Sequence, residues 1–282
     1  MALTIPYRIT HPYFTTKRVY QVDQVLETLL NGVATKTATT FDFEYFCHNQ
    51  KENTIVIVIK KHSALALPGT ENNFLELLQQ FEAYTYPIAV EVSKHGDFIH
   101  IVNHKNWLEN WNKNTLAFLE QHSYSEEATD LQQQFYEIVK DENVFAKNKF
   151  KEPFWNLFFF NPAFDIKHLT PSAADITWDI KTFGPIAFQG TIQCTNTNGR
   201  TATTRFEATQ PPDTALAETL QSMLQLPGTG WQQQAAKLEI VTEFDLMYDR
   251  LQQKSAILEF TIGSHFSYLE KTIITLKKII DK

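Results

Sequence analysis

The sequence predicts an α+β fold: long antiparallel β-meanders forming two strand-rich halves, as open or half-barrel sheets, with a helical insertion in the middle. Three observations carry this expectation. Apolar and polar residues alternate with period two toward both ends of the chain, most clearly in KLEIVTEFDLMYD at 237–249. Two Asn-Gly pairs, Asn31-Gly32 and Asn198-Gly199, interrupt β-branched runs, which is the strongest short-range hairpin signal. Helical spacing dominates the middle, where Trp107, Trp111, Thr115, Phe118 and His122 fall on one stripe over 104–122.

Taken in order, TIPYRITHP at 4–12 carries Pro toward both ends and suits an edge strand. In 19–30, Val22, Val25, Leu26 and Leu29 match a helical face, but the following Asn-Gly pair favours a hairpin. On its return strand Phe41, Phe43, Tyr45 and Cys47 alternate. TIVIVI at 54–59 is apolar on both faces, hence central or covered. A helix is expected over 72–84, with Phe74, Leu77, Leu78 and Phe81 inward. Pro87 then opens a strand that Gly96 turns into another. After the helix at 104–122 comes one at 126–140, with Ala128, Leu131, Phe135 and Ile138 inward.

Residues 161–173 read as a connection, dividing the chain into 1–160 and 174–282. Strands resume at 178–183, 186–196 and 201–209. A helix follows from Pro211-Pro212-Asp213 to near Pro227-Gly228. The strands at 237–249, 256–263 and 267–280 then complete a meander, although 267–280 also admits a helix. NGVATKTATTFDFE at 31–44 echoes NGRTATTRFE at 198–207, which a duplicated unit would explain, but TIVIVI has no counterpart in the second half, which favours chance similarity between Thr-rich strands.

Composition narrows the function classes. With 282 residues the chain can build a sizeable core. A net charge of −7 disfavours nucleic acid, whose binding draws on a basic face. No apolar run approaches the ~20 residues of a membrane span, and the N-terminus has no secretory pattern, so a bacterial cytoplasm is the expected location. Cys47 and Cys194 belong to no CxxC pair and read as buried thiols, with one bridge between them as the alternative. G-x-S-x-G, Walker, G-x-G-x-x-G and H-E-x-x-H motifs are absent, and no cofactor is implied.

Three features hold candidate chemistry. VEVSKHGDFIHIVNHKNWLENW at 90–111 contains His95, His100 and His104, but these leave a turn, a strand and a helix entry, which argues against a shared metal. Glu239, Glu243, Asp245 and Asp249 line one face of 237–249. Paired carboxylates can act as acid and base, yet period-two alternation alone gives a solvated acidic face. The run FWNLFFF at 154–160 is too apolar for one buried stripe, so Trp155, Phe158 and Phe160 are candidates for a ligand or partner surface, against core packing.

The expected function is therefore non-catalytic: a protein-protein interaction or assembly component, or an immunity-like inhibitor, with Trp155, Phe158, Phe160, Glu239, Glu243 and Asp245 as binding residues. A carrier enclosing an apolar, lipid-like molecule is the alternative, and an enzyme without a recognisable motif the third.

Overall fold

The computed structural model describes residues 17–50, 54–62, 73–93, 98–121, 126–160, 171–180, 183–197, 200–210, 222, 236–247, 250–262 and 266–280. The strand expected at 4–12, the second Asn-Gly pair, His95, Gly96, His122, Asp249 and nearly all of the helix expected over 213–227 lie outside these residues.

The two meanders form one antiparallel sheet rather than separate sheets. Among the described residues eleven strands lie side by side in the order β5 (Phe98–Ile101), β4 (Ile88–Ser93), β3 (Thr54–His62), β2 (Val33–Gln50), β1 (Lys17–Leu30), β11 (Phe266–Ile280), β10 (Arg250–Ile262), β9 (Ala236–Asp245), β8 (Thr201–Gln210), β7 (Gly184–Thr197) and β6 (Ser172–Ile180), so the sheet is open, with β5 and β6 at its ends. The chain divides into two compact units, Met1–Pro12, Val22–Thr39 and Phe150–Leu276 in one, Tyr13–Gln21, Thr40–Lys149 and Lys277–Lys282 in the other.

In the second of these units lie parts of β1 (Lys17–Leu30) and β2 (Val33–Gln50), with β3 (Thr54–His62), β4 (Ile88–Ser93) and β5 (Phe98–Ile101). Between β1 and β2, Asn31 and Gly32 adopt φ of 49° and 83°, the two positive values that a type I′ turn requires, as expected from the dipeptide. Tyr20 and Phe43 stack at 5.3 Å, fixing both strands' inward register. β3 pairs with β2 and β4 and buries Ile55, Val56, Ile57 and Ile59, the central strand its two apolar faces predict.

Helices α1 (Asn73–Ala83), α2 (His104–Gln121), α3 (Glu126–Val139) and α4 (Glu142–Phe150) complete this unit apart from Phe150. In α2 the predicted Trp107, Trp111, Thr115 and Phe118 are buried. Trp111 donates its indole N–H to the Phe81 carbonyl of α1 at 2.8 Å. The α3 stripe differs from expectation: Ile138 is exposed, while Gln132 and Val139 are buried. Gln132 can be interior because its amide donates to Asn112 Oδ1 and Thr115 Oγ1, at 2.9 and 3.1 Å. Glu82 sits between Lys61 and Lys149 at 2.7 and 3.5 Å. Burial pushes its carboxyl up, but the two ammonium groups outweigh this and hold it at about 2.

The other unit holds α5 (Pro153–Phe159), β6 (Ser172–Ile180), β7 (Gly184–Thr197), β8 (Thr201–Gln210), β9 (Ala236–Asp245), β10 (Arg250–Ile262) and most of β11 (Phe266–Ile280). β6 begins at Ser172, six residues before the strand expected from Trp178, and its full length pairs with β7. β11 is the strand that completes the meander, pairing with β10 from Phe266 to Thr275.

β10 is longer than expected at its start. A bulge between Leu251 and Gln253 adds a residue, so Leu251 and Lys254 both reach the buried side despite their odd spacing. β9 ends at Asp245, not at Asp249. Asp245 stops it: the buried carboxylate accepts from the Met247 N–H at 3.0 Å and from Arg250 and Gln252 at 3.2 and 3.3 Å, tying a turn to the next strand.

Candidate functional site

The aromatic run is α5, started by Pro153 in its first turn. Phe154, Trp155, Leu157, Phe158 and Phe159 are all buried, so the helix is covered on every side that an apolar residue occupies. Trp155 stacks on Phe159 at 5.5 Å and meets Phe150 and Phe154 edge-on at 5.7 and 5.9 Å. Phe160, half-buried beyond the last turn, meets Trp178 of β6 edge-on at 5.9 Å. Asn156 donates to the Asp179 carbonyl of β6 at 3.0 Å. Trp155 and Phe158 are thus packed within the unit, whereas Phe160 and Asn156 fasten α5 to an end strand of the sheet.

Lys254 of β10 reaches the C-terminal end of α5. Its ammonium donates to the carbonyl of Phe158 at 3.3 Å and to that of Phe160. A cation there answers the negative end of the helix dipole, but the side chain is only 4% exposed, and burial lowers its pKa to about 7. An unfolded lysine keeps its proton to about 10.4. Between these values the unfolded chain binds more protons, so stability rises with pH. Wild type is therefore expected to gain about 2–4 °C in Tm between pH 7 and 9 relative to Lys254→Met; thermal scans at both pH values check this, and equal responses of the two proteins would contradict it.

On the same buried side, Tyr268 donates to Glu270 Oε2 at 2.8 Å. Burial raises the Glu270 carboxyl above the usual range, against the opposing effect of Tyr268 and of the nearby Trp178 indole, which makes no well-aligned hydrogen bond. Burial, then Glu270, raises the Tyr268 phenol.

The acidic face of β9 is interleaved with cations. Glu239 lies opposite Glu207 of β8, and Arg205 binds both, at 2.8 and 2.7 Å. Glu243 is exposed on that face, while Asp245 belongs to the turn. Among the histidines, His100 Nδ1 lies 3.5 Å from Glu91 and His104 Nε2 lies 2.8 Å from the Val139 carbonyl. No group of three metal-binding side chains is found among the described residues. Neither cysteine is in a disulfide, so the alternative bridge is not formed; Cys194 is buried, which raises its thiol, whereas Cys47, expected to be buried, is only half-buried.

An open groove of about 780 Å³ lies where the β1–β2 hairpin meets β9, β10 and β11. Leu29, Phe260 and Leu269 supply apolar lining. Glu27–Lys36 and Lys237–Glu259 pairs, at 2.6 and 3.2 Å, supply its charge. Trp155, Phe158 and Phe160 are not part of this lining.

The two ends of the sheet differ, a contrast that residue patterning does not reveal because strand order is not written in it. β5 has four residues, and its Ile101 N–H is taken by Glu142 at 2.8 Å. β6 has nine residues, with neither Pro nor Lys. Its Asp179 lies opposite Pro185, which has no N–H, and the Asp179 carbonyl turns to Asn156 instead. In an unbroken antiparallel ladder, Thr177, Asp175 and Ala173 then also direct N–H and C=O away from β7. Among the described residues no strand covers that edge.

The chain matches no protein-family model and no curated protein. A solved structure described as lipid-protein interactions in lipovitellin is similar to it, with a TM-score of 0.49 and 12% identity over 95% of this chain. The chain spans 26% of that lipovitellin chain. No helix among the described residues is long and apolar enough to cross a membrane.

Proposed function

We propose that this chain is a non-catalytic binding protein, an interaction or assembly component that takes up another polypeptide strand along β6. The observation that supports this reading is the nine-residue β6 edge, with outward backbone groups at Ala173, Asp175 and Thr177 and no covering strand among the described residues. Natural sheets shorten, charge or cap such edges, as β5 does with Glu142. Strand addition uses the same groups for affinity. In this reading α5 is the support: Trp155 and Phe158 hold it rigid, Phe160 packs on Trp178, and Asn156 takes the outward carbonyl of Asp179, so the open stretch of the edge runs from Ala173 to Thr177. Glu239 and Glu243 place charge on the solvent-facing side of the same meander and would meet a partner's rim. Asp245 contributes by fixing the turn after β9.

The groove favours a second reading, an amphipathic small molecule. Its volume falls in the range of ligand sites, roughly 300–1,000 Å³, and it joins apolar lining to paired charges. Native mass spectrometry of gently purified protein separates the two. The strand reading expects mass increments of whole polypeptides. A stoichiometric adduct of small-molecule mass, lost on Phe260→Ala or Leu269→Asp, would instead favour the groove.

A further inference from the structure

We infer that the partner of the β6 edge is the β6 edge of a second copy of this chain, paired antiparallel about a two-fold axis that passes midway between the two Ile176 residues. The inference rests on the strand-addition reading and names its partner. A two-fold axis perpendicular to the sheet keeps each face continuous, so opposed residues share parity and the axis must pass midway between the two copies of one residue. Ile176 is the midpoint of Ser172–Ile180, and that centre pairs the outward groups of Asp175 with those of Thr177 while the Asp179 carbonyl stays with Asn156.

Charge selects the same register. Centred on Ile176, Asp175 faces the partner's Thr177 and Asp179 faces the partner's Ala173. Centred on Asp175, that carboxylate faces itself; centred on Thr177, Asp175 faces the partner's Asp179. Both place like charges directly opposite, which destabilises a strand pair. The backbone agrees. Asp175 and Thr177 direct their N–H and C=O outward, so each can exchange both bonds with the other's counterpart. The side chains agree as well. Ala174 and Ile176 are half-buried beside the buried Trp178. In this register Ile176 meets the partner's Ile176 and Trp178 meets the partner's Ala174, which extends the apolar face across the axis.

The test uses the full chain with Cys47→Ser and Cys194→Ala, its melting checked against wild type. Ile176→Cys in this background places two thiols across a non-hydrogen-bonded pair, with Cα atoms about 4.5 Å apart, within disulfide reach. Mild oxidation is expected to give a covalent dimer, and Asp175→Cys much less of one. In sedimentation equilibrium of otherwise native protein, Thr177→Asp, which faces Asp175, is expected to weaken the dimer at least tenfold. Thr177→Lys is expected to tighten it at low salt. Equal crosslinking at both positions, or a monomer at every concentration, overturns the inference. If that monomer exchanges its outward β6 amides rapidly, the open edge stands and only the second copy is lost. If it protects them, the strand-addition reading fails too.

Discussion

Replacing Trp155 with alanine is expected to destabilise the chain by about 3–5 kcal/mol, the range for truncating a core Trp. Trp155 is 1% exposed, and no nearby group can refill its volume without leaving its own contacts: Phe150, Phe154 and Phe159 all meet its ring. The loss of its stack on Phe159 adds to the lost burial. The loss is a large part of the roughly 5–15 kcal/mol that holds a typical domain together. Urea unfolding should show a lower midpoint with an unchanged slope. Unchanged stability combined with lost association would show instead that Trp155 is itself a contact residue.

Gly190→Ala is expected to cost about 1–3 kcal/mol or more, the penalty for overpacking. A Cβ there would stand 2.4 Å from the Glu207 carbonyl oxygen and 2.6 Å from the Phe206 ring. The ring can give a little, but the carbonyl belongs to β8, whose ladder with β7 runs through Thr191 and Glu207. Glycine weakens a strand interior, so its place here is explained by that close approach. Gly190→Val should be worse. In the double variant Gly190→Ala with Phe206→Leu, the added loss should be smaller than the sum of the single losses. Strict additivity in a denaturant-based cycle would show that the ring does not press on this site.

How far the fold is legible in the sequence follows from which forces are local. Asn31-Gly32 fixes its turn by backbone sterics, and β3 announces its burial by being apolar on both faces. α4 is invisible because ENVFAKNKF has no apolar stripe; Asp141 caps it through the Asn143 and Val144 N–H groups, and only Phe145, Ala146 and Lys149 are buried. The bulge after Leu251 breaks the alternation that marks β10, which is why its first residues escape a period-two reading. The extra length of β9 is an expectation that alternation encourages and the Asp245 turn ends. The candidate site was legible only in part. FWNLFFF marks a place too apolar for one face, but that its helix leans on β6 through Asn156 and Phe160 depends on long-range packing. That β6 lies at the end of the sheet depends on strand order, which no local pattern encodes.

The claim that β6 is an open, working edge is tested most directly by residue-resolved amide exchange along Ser172–Ile180 as a function of protein concentration. In dilute solution the amides of Ala173, Asp175 and Thr177 are expected to exchange far faster than those of Ala174, Ile176 and Trp178, which face β7. As concentration rises, the outward amides should slow while the inward ones stay unchanged. Outward amides that are as slow as the inward ones at every concentration would show the edge to be covered by the chain itself, and would contradict the account.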